Sequence, residues 1–271
     1  MPHAGCSWFY FGQSGSLMLE GMSNVDLLAL GVVLLALLSL GLNLFIHRKQ
    51  PYRHLKKNEA LVDAEKLMHA AAEKGLRLTI GLGANPNNSA PAPANLAGLP
   101  VLRLMSRRSV FNDRPAQALA GDGSLAALSQ LIVRGKYQNA LATELFKPDF
   151  GLLAGATPYA YLAGLLPEVN FRANAGVFLI GSHRPESFLA ANLADQKGIP
   201  LVAGSDELCT QAVLLATNAG LCLGEDALNA GASLETDASA AAAVRAQDWL
   251  RVLAALGLLA GVLLKLLGVW Q

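Results

Sequence analysis

The chain has 271 residues, of which 53% are hydrophobic, with 21 basic and 20 acidic side chains, a formal net charge of +1 and a mean hydropathy of +0.37. That is more apolar than an ordinary soluble domain, yet the chain has too few long apolar runs for a many-helix transporter, so two spans and one domain fit. Charge near balance, with no basic stripe carrying interleaved aromatics, gives no basis for a nucleic-acid partner.

Residues 1–24 hold no Lys or Arg ahead of an apolar core and so do not read as a cleavable signal peptide. They are expected to be extracytoplasmic, with Trp8, Phe9, Tyr10 and Phe11 at the outer membrane interface; Met18 or Met22 are alternative starts. The run at 25–47 follows, and roughly 22 helical residues span about 30 Å, the hydrocarbon thickness of a bilayer. His47, Arg48, Lys49, Arg53, Lys56 and Lys57 crowd its far end, which by the positive-inside rule puts the next segment in the cytosol.

Residues 48–244 are expected to form one cytosolic domain. Leu61, Ala64, Leu67, Met68, Ala71 and Ala72 recur at helical spacing up to Gly75, and a buried strand follows at 76–82. A long proline-rich loop is predicted at 83–95. Helices at 96–110, 124–140, 158–166, 185–197, 207–219 and 226–234 then alternate with strands at 116–120, 149–154, 176–180, 199–203 and 221–223. Six short apolar strands between amphipathic helices predict an α/β domain with a mostly parallel, doubly wound, Rossmann-like sheet. Cys209 and Cys222, in apolar surroundings and without ligand spacing, are expected to be buried.

A small-residue linker is predicted at 235–243 and a second span at 249–270, with Trp249 and Trp270 about 32 Å apart along a helix as interfacial anchors. Arg245 and Arg251 mark its cytosolic end, so both termini are expected outside. Ala254, Gly257, Gly261, Lys265 and Gly268 line one stripe of this helix, and Gly257 to Gly261 is a GxxxG step through which a second helix could approach closely. In so Leu/Gly/Ala-rich a span, chance is the competing explanation. Lys265 has two further readings: snorkelling to the interface, or pairing with Glu20 or Asp26 of the first span.

Candidate chemistry concentrates where strands end in glycine: Gly81-Leu82-Gly83, Gly121-Asp122-Gly123-Ser124, Gly155-Ala156-Thr157, Gly181-Ser182-His183-Arg184 and Gly204-Ser205-Asp206. In a doubly wound sheet all of these fall at the carboxyl edge, where helix amino termini offer free N–H groups to an anion. The competing reading is that glycine makes each turn while Asp122 or Ser124, Thr157, Ser182, and Ser205 or Asp206 cap the following helices. His183 with Glu186 or Asp206 could serve acid–base work and Arg184 could hold an anion, against a plain surface loop capping its helix. Neither common nucleotide fingerprint, GxGxxG after the first strand or GxxxxGK[ST], occurs, and neither a catalytic triad nor a metal site can be assembled from the motifs present.

Asn95-Leu96-Ala97-Gly98-Leu99, then Ala154-Gly155-Ala156-Thr157-Pro158-Tyr159-Ala160-Tyr161-Leu162-Ala163-Gly164, then Ile199-Pro200-Leu201-Val202-Ala203-Gly204, and finally the stretch from Leu223-Gly224-Glu225-Asp226 to Ser233-Leu234 resemble successive motifs of the bacterial domain of unknown function 6754. The resemblance runs from about Leu61 to the last helix and implies a membrane-tethered α/β domain. It brings no established activity. Thr157-Pro158 stands where the family pattern has Asp-Pro, which leaves that position without a carboxylate.

Two functional classes follow. One is a non-enzymatic component that assembles with itself or recruits another membrane protein at the inner membrane; the other is a membrane-tethered domain binding a nucleotide or another small anionic ligand. The absence of catalytic signatures favours the first, and the sequence leaves any cofactor unknown.

Overall fold

The computed structural model describes residues 24–47, 58–84, 92–234 and 238–266. It divides into two compact units, Met1–Pro51 with Ala242–Gln271, and Tyr52–Ala241. In the first unit the apolar run forms a single helix, α1 (Asn24–His47), whose described leucines and valines from Leu30 to Leu42 are exposed.

The second unit is built on six strands: β1 (Arg77–Gly83), β2 (Gln117–Ala120), β3 (Gly151–Leu153), β4 (Asn174–Ser182), β5 (Leu201–Ser205) and β6 (Gly220–Leu221). All pair in parallel, in the order β3-β2-β1-β4-β5-β6. This is the doubly wound Rossmann order, with the switch point between β1 and β4. α2 (Glu59–Glu73) leads into β1; the five crossovers that parallel neighbours need are then supplied by α3 (Pro93–Ser109), α4 (Gly123–Asn139), α5 (Pro158–Val169), α6 (Phe188–Gln196) and α7 (Leu208–Leu214), and the short α8 (Glu225–Leu228) and α9 (Ala230–Leu234) follow β6.

Period-two alternation assigns the strand side chains to two layers even though both faces are buried. Leu78, Ile80 and Leu82 of β1 with Phe178 and Ile180 of β4 join Leu61, Met68, Leu102, Met105 and Leu125 of α2, α3 and α4. Val177, Leu179 and Ala203 join Leu162, Leu165, Ala190 and Ala194 of α5 and α6 on the other face. Each buried Leu, Ile or Phe contributes about 1.5–3 kcal/mol through burial alone, so neither layer is dispensable.

Several boundaries differ from the sequence-based expectation. β1 continues through Gly83, because Gly83 still pairs with Ser182 after a one-residue register shift past Gly81. The predicted helix at 185–197 opens as a 3-10 turn, Pro185–Ser187, before α6. The predicted 226–234 helix breaks at Asn229 into α8 and α9, and α9 lies close on α3 because Gly231 has no Cβ to meet Pro100. Cys222 is buried as expected, and burial pushes its thiol pKa up to about 12. Cys209 is exposed, because it lies on the outer face of α7 between Leu208 and the buried Thr210.

The last helix, α10 (Ala238–Leu266), starts well before Trp249, so part of the predicted linker is helical; Ala-rich sequence has the highest helix propensity. Among the described residues no helix is long and apolar enough to cross a membrane. In α1 the described side chains run without a break only from Leu30 to Ser39; in α10 they extend to Leu259 and include Arg245, Asp248 and Arg251.

Candidate functional site

The glycine-ended strands do converge on one edge of the sheet. At the switch point β1 and β4 close on each other with no gap: the Ala84 N–H donates to the Ser182 carbonyl (3.3 Å), and the Gly121 N–H at the end of β2 donates to the Gly83 carbonyl (2.9 Å). Gly83 (φ +83°) and Gly181 (φ +153°) adopt conformations that favour glycine. A Cβ on Gly83 would run into the Ser182 carbonyl and Asn95 Oδ1, and one on Gly181 into the Leu82 carbonyl. The glycines thus admit the protein's own backbone.

Three side chains that the glycine pattern did not single out fill the space around this junction. Asn95, fully buried in the first turn of α3, accepts the Ser182 N–H on Oδ1 at 2.6 Å. Tyr161 of α5 reaches across so that its hydroxyl accepts the Gly83 N–H (3.2 Å), and burial raises its pKa above the ordinary value. Thr210 of α7 donates to the His183 carbonyl (2.8 Å), as does Ser205 at the end of β5 (2.9 Å). Thr210 also lies 3.0 Å from Glu207 Oε2, and its single hydroxyl proton can serve only one of these acceptors at a time.

His183 is 2% exposed, which corrects the expectation of a surface loop. Its Nε2 faces the Gly81 carbonyl at 3.2 Å, so that nitrogen carries the proton of a neutral ring, and the ring centroid lies 6.0 Å from that of Tyr161. Burial pulls its pKa down to about 4, outweighing the opposite pulls of the Gly81 carbonyl and Asp206. A ring held neutral and hydrogen-bonded to backbone acts here as a staple between β4 and β1. The hollow beside it, lined by Tyr161, His183, Arg184, Glu186 and Ser187 among others, measures about 20 Å³, close to a single water. Glu186 Oε2 and Ser187 Oγ lie covered there without a hydrogen-bond partner among the described residues.

The remaining predicted residues divide between capping and other roles. Asp122 caps α4 by accepting from the Ser124 N–H at 2.7 Å, and the Ser124 hydroxyl bonded to the same oxygen holds its carboxyl pKa below the ordinary value. Thr157 caps α5 through the Ala160 N–H at 3.3 Å. Ser182 is not the cap of the following turn, whose N-cap position is Arg184; its backbone pairs with Asn95 and Ala84. Ser205 is buried and accepts the Glu207 N–H (3.2 Å), while Glu207 itself, not Ser205 or Asp206, stands at the start of α7. Arg184 and Asp206 are exposed.

Gly81 is needed for packing, since a Cβ would collide with the Tyr161 hydroxyl. Gly257 is described and has open space around it; the side-chain surroundings of Gly261 and Lys265 lie outside the described residues, as does Gly268 altogether. Among the described residues no group of three or more His, Cys, Asp or Glu could hold a metal ion.

The roomier cavities lie at the opposite, amino edge of the sheet, away from the glycine-ended loops, although Ile199 and Pro200 of the family-like motif line the first of them. One of about 710 Å³ sits where β1, β4 and β5 begin, and another of about 470 Å³ beside the starts of β1 and β2, lined by Arg77, Phe111, Asn112, Tyr137 and Lys147 among others. Tyr137 packs its ring against Phe150 and Phe146 there, and burial pushes its pKa up to about 12.

Compared with known proteins, residues 22–271 match a family model described as "Domain of unknown function (DUF6754)". No curated protein and no solved structure matches the chain.

Proposed function

The chain belongs to the DUF6754 family, and on that premise we propose that it is a membrane-anchored, non-enzymatic component of the cytoplasmic membrane, its terminal helices serving as anchors and its α/β domain assembling with itself or recruiting a membrane partner. The single observation that carries the non-enzymatic reading is the filled switch point. The crevice that holds a dinucleotide in doubly wound folds is occupied by Asn95, Tyr161 and His183, and the strand-end glycines admit neighbouring backbone and side chains. A nucleotide or small anion at the strand ends is the weaker reading. The adjoining hollow has room for about one water, far too little for a nucleotide, and the Arg184 charge on its wall is opposed by that of Glu186.

Support for the anchors comes from sequence. The apolar run at 25–46 ends in the basic cluster from His47 to Lys57, and a second apolar run follows Arg251. The exposed leucines of α1 and the exposed stretch of α10 from Val252 to Leu259 are the surfaces such anchors would present to lipid. Both termini are then extracytoplasmic and the domain cytosolic. A reporter active only outside should score when fused after Gln271; silence there, with a signal from a fusion at Glu235, would overturn the orientation.

Assembly is tested by particle mass in mild detergent, with mass spectrometry of whatever is released on denaturation. A wild type that is monomeric and copurifies with no other membrane protein would remove the proposal, and a released nucleotide would replace it with the ligand-binding alternative. If the α10 stripe is the contact, Gly257→Leu and Gly261→Leu should disrupt the assembly while Leu259→Ile leaves it intact, because close backbone approach supplies the attraction between helices in lipid.

A further inference from the structure

The cavity of about 710 Å³ at the amino edge is lined by basic side chains on a partly apolar wall. Three cations line it, Lys74, Arg172 and Lys197, and no carboxylate does. All three are exposed, and none is ion-paired among the described residues. Apolar wall is supplied by Leu67, Ala175, Ile199 and Phe171, and the Arg77 guanidinium, ion-paired with Glu168 at 3.0 Å, packs 4.6 Å over the Phe171 ring from behind that wall.

A simpler role for these cations is compensation of helix ends. Lys74 and Lys197 are the C-cap residues of α2 and α6, and Arg172 follows the C-cap Asn170 of α5. Each helix carboxyl end carries about half a negative charge, so three ends offset roughly half of the three full positive charges. A net positive potential is left over a half-apolar cavity. Asp195, in the adjoining hollow, keeps its negative charge while accepting from Asn218 Nδ2 at 2.7 Å and offsets part of this potential, which the three cations still outweigh.

We propose that this cavity binds a small organic anion with an apolar body, of the class of an aryl or alkyl phosphate, its charged group among Lys74, Arg172 and Lys197 and its apolar part against Phe171 and Ile199. The volume suits a ligand of small-metabolite size. The site lies on the opposite edge of the sheet from the strand-end loops and is independent of the anchoring role proposed above.

Phenyl phosphate is the probe, titrated calorimetrically into the full chain in a neutral sugar detergent, with inorganic phosphate and phenol as the two half-ligands. Phenyl phosphate should bind at least about tenfold more tightly than either half, and K74Q/R172Q/K197Q should weaken it by on the order of tenfold at an unchanged thermal midpoint, since three exposed cations are lost and no packing is. Raising the salt should weaken wild-type binding and barely affect the triple variant. No heat with phenyl phosphate, equal affinity for inorganic phosphate, or equal affinity in the triple variant would each overturn the proposal. The reversal K197E separates charge from shape: it should weaken phenyl phosphate more than K197Q does, and equal effects count against an electrostatic site.

Discussion

The two edges of the same sheet solve opposite problems. At the carboxyl edge β1 and β4 stay in contact to their last residues, and Gly83 and Gly181 let the backbones and Asn95 occupy the gap that a ligand would otherwise enter. At the amino edge the helices α2, α5 and α6 arrive with their carboxyl ends, turn on Gly75 and Gly198 at φ near +60°, and leave open space between their caps. Both edges use left-handed glycine, and the same residue type closes one edge and merely reverses the chain at the other. A strand-end glycine therefore marks a ligand site only when its missing Cβ leaves space, which the neighbouring side chains decide.

The largest test of this contrast is Gly83→Ala. A methyl there meets the Ser182 carbonyl and Asn95 Oδ1 on a backbone already at φ +83°, so overpacking adds to conformational strain. A loss of roughly 3 kcal/mol is expected in denaturant unfolding. A loss below about 1 kcal/mol would mean that the junction can relax and is not tightly closed.

Acidification should act on the same edge. His183 titrates near 6.5 in the unfolded chain and near 4 in the fold, so the unfolded state takes up the proton first. Its contribution is fully present above about pH 6.5 and falls on the way down to about pH 4, at up to 1.4 kcal/mol per pH unit. Thermal midpoints of wild type and His183→Gln, measured across that window, should converge as the pH drops. Parallel curves would show that His183 does not titrate with unfolding.

Tyr161→Phe should cost about 1–2 kcal/mol, because the Gly83 N–H loses its acceptor inside the core. Hydrogen exchange at the Gly83 amide is the sensitive readout, and unchanged protection would assign that amide another partner.

The smallest effects belong to turns with free space. Gly198→Ala meets nothing within 4 Å and should cost only the left-handed strain, about 1 kcal/mol. Leu141, after α4, runs the other way. It has φ +55° and is 95% exposed, so Leu141→Gly should be neutral or stabilising by up to about 1 kcal/mol. If Gly198→Ala proved as damaging as Gly83→Ala, the distinction between the two edges would fail.

Sequence periodicity located the six strands and most of the helices to within a few residues, though α7 ends at Leu214 and not at 219, and it identified the helix caps where the cap bond is local, as at Asp122 and Thr157. The parallel sheet, too, followed from alternation of short apolar strands with helices, since parallel neighbours require such crossovers. Strand order, the burial of His183 and the convergence of Asn95, Tyr161 and Thr210 were not legible, because each rests on partners tens of residues away in the chain. Ser182 looked like a cap and is instead a β4 residue held by Asn95, and Cys209 looked like core and faces outward on α7. Local spacing records which residues lie on one face of an element. Only the tertiary structure decides which element covers that face, and with it whether the space beside a glycine is left open or already filled.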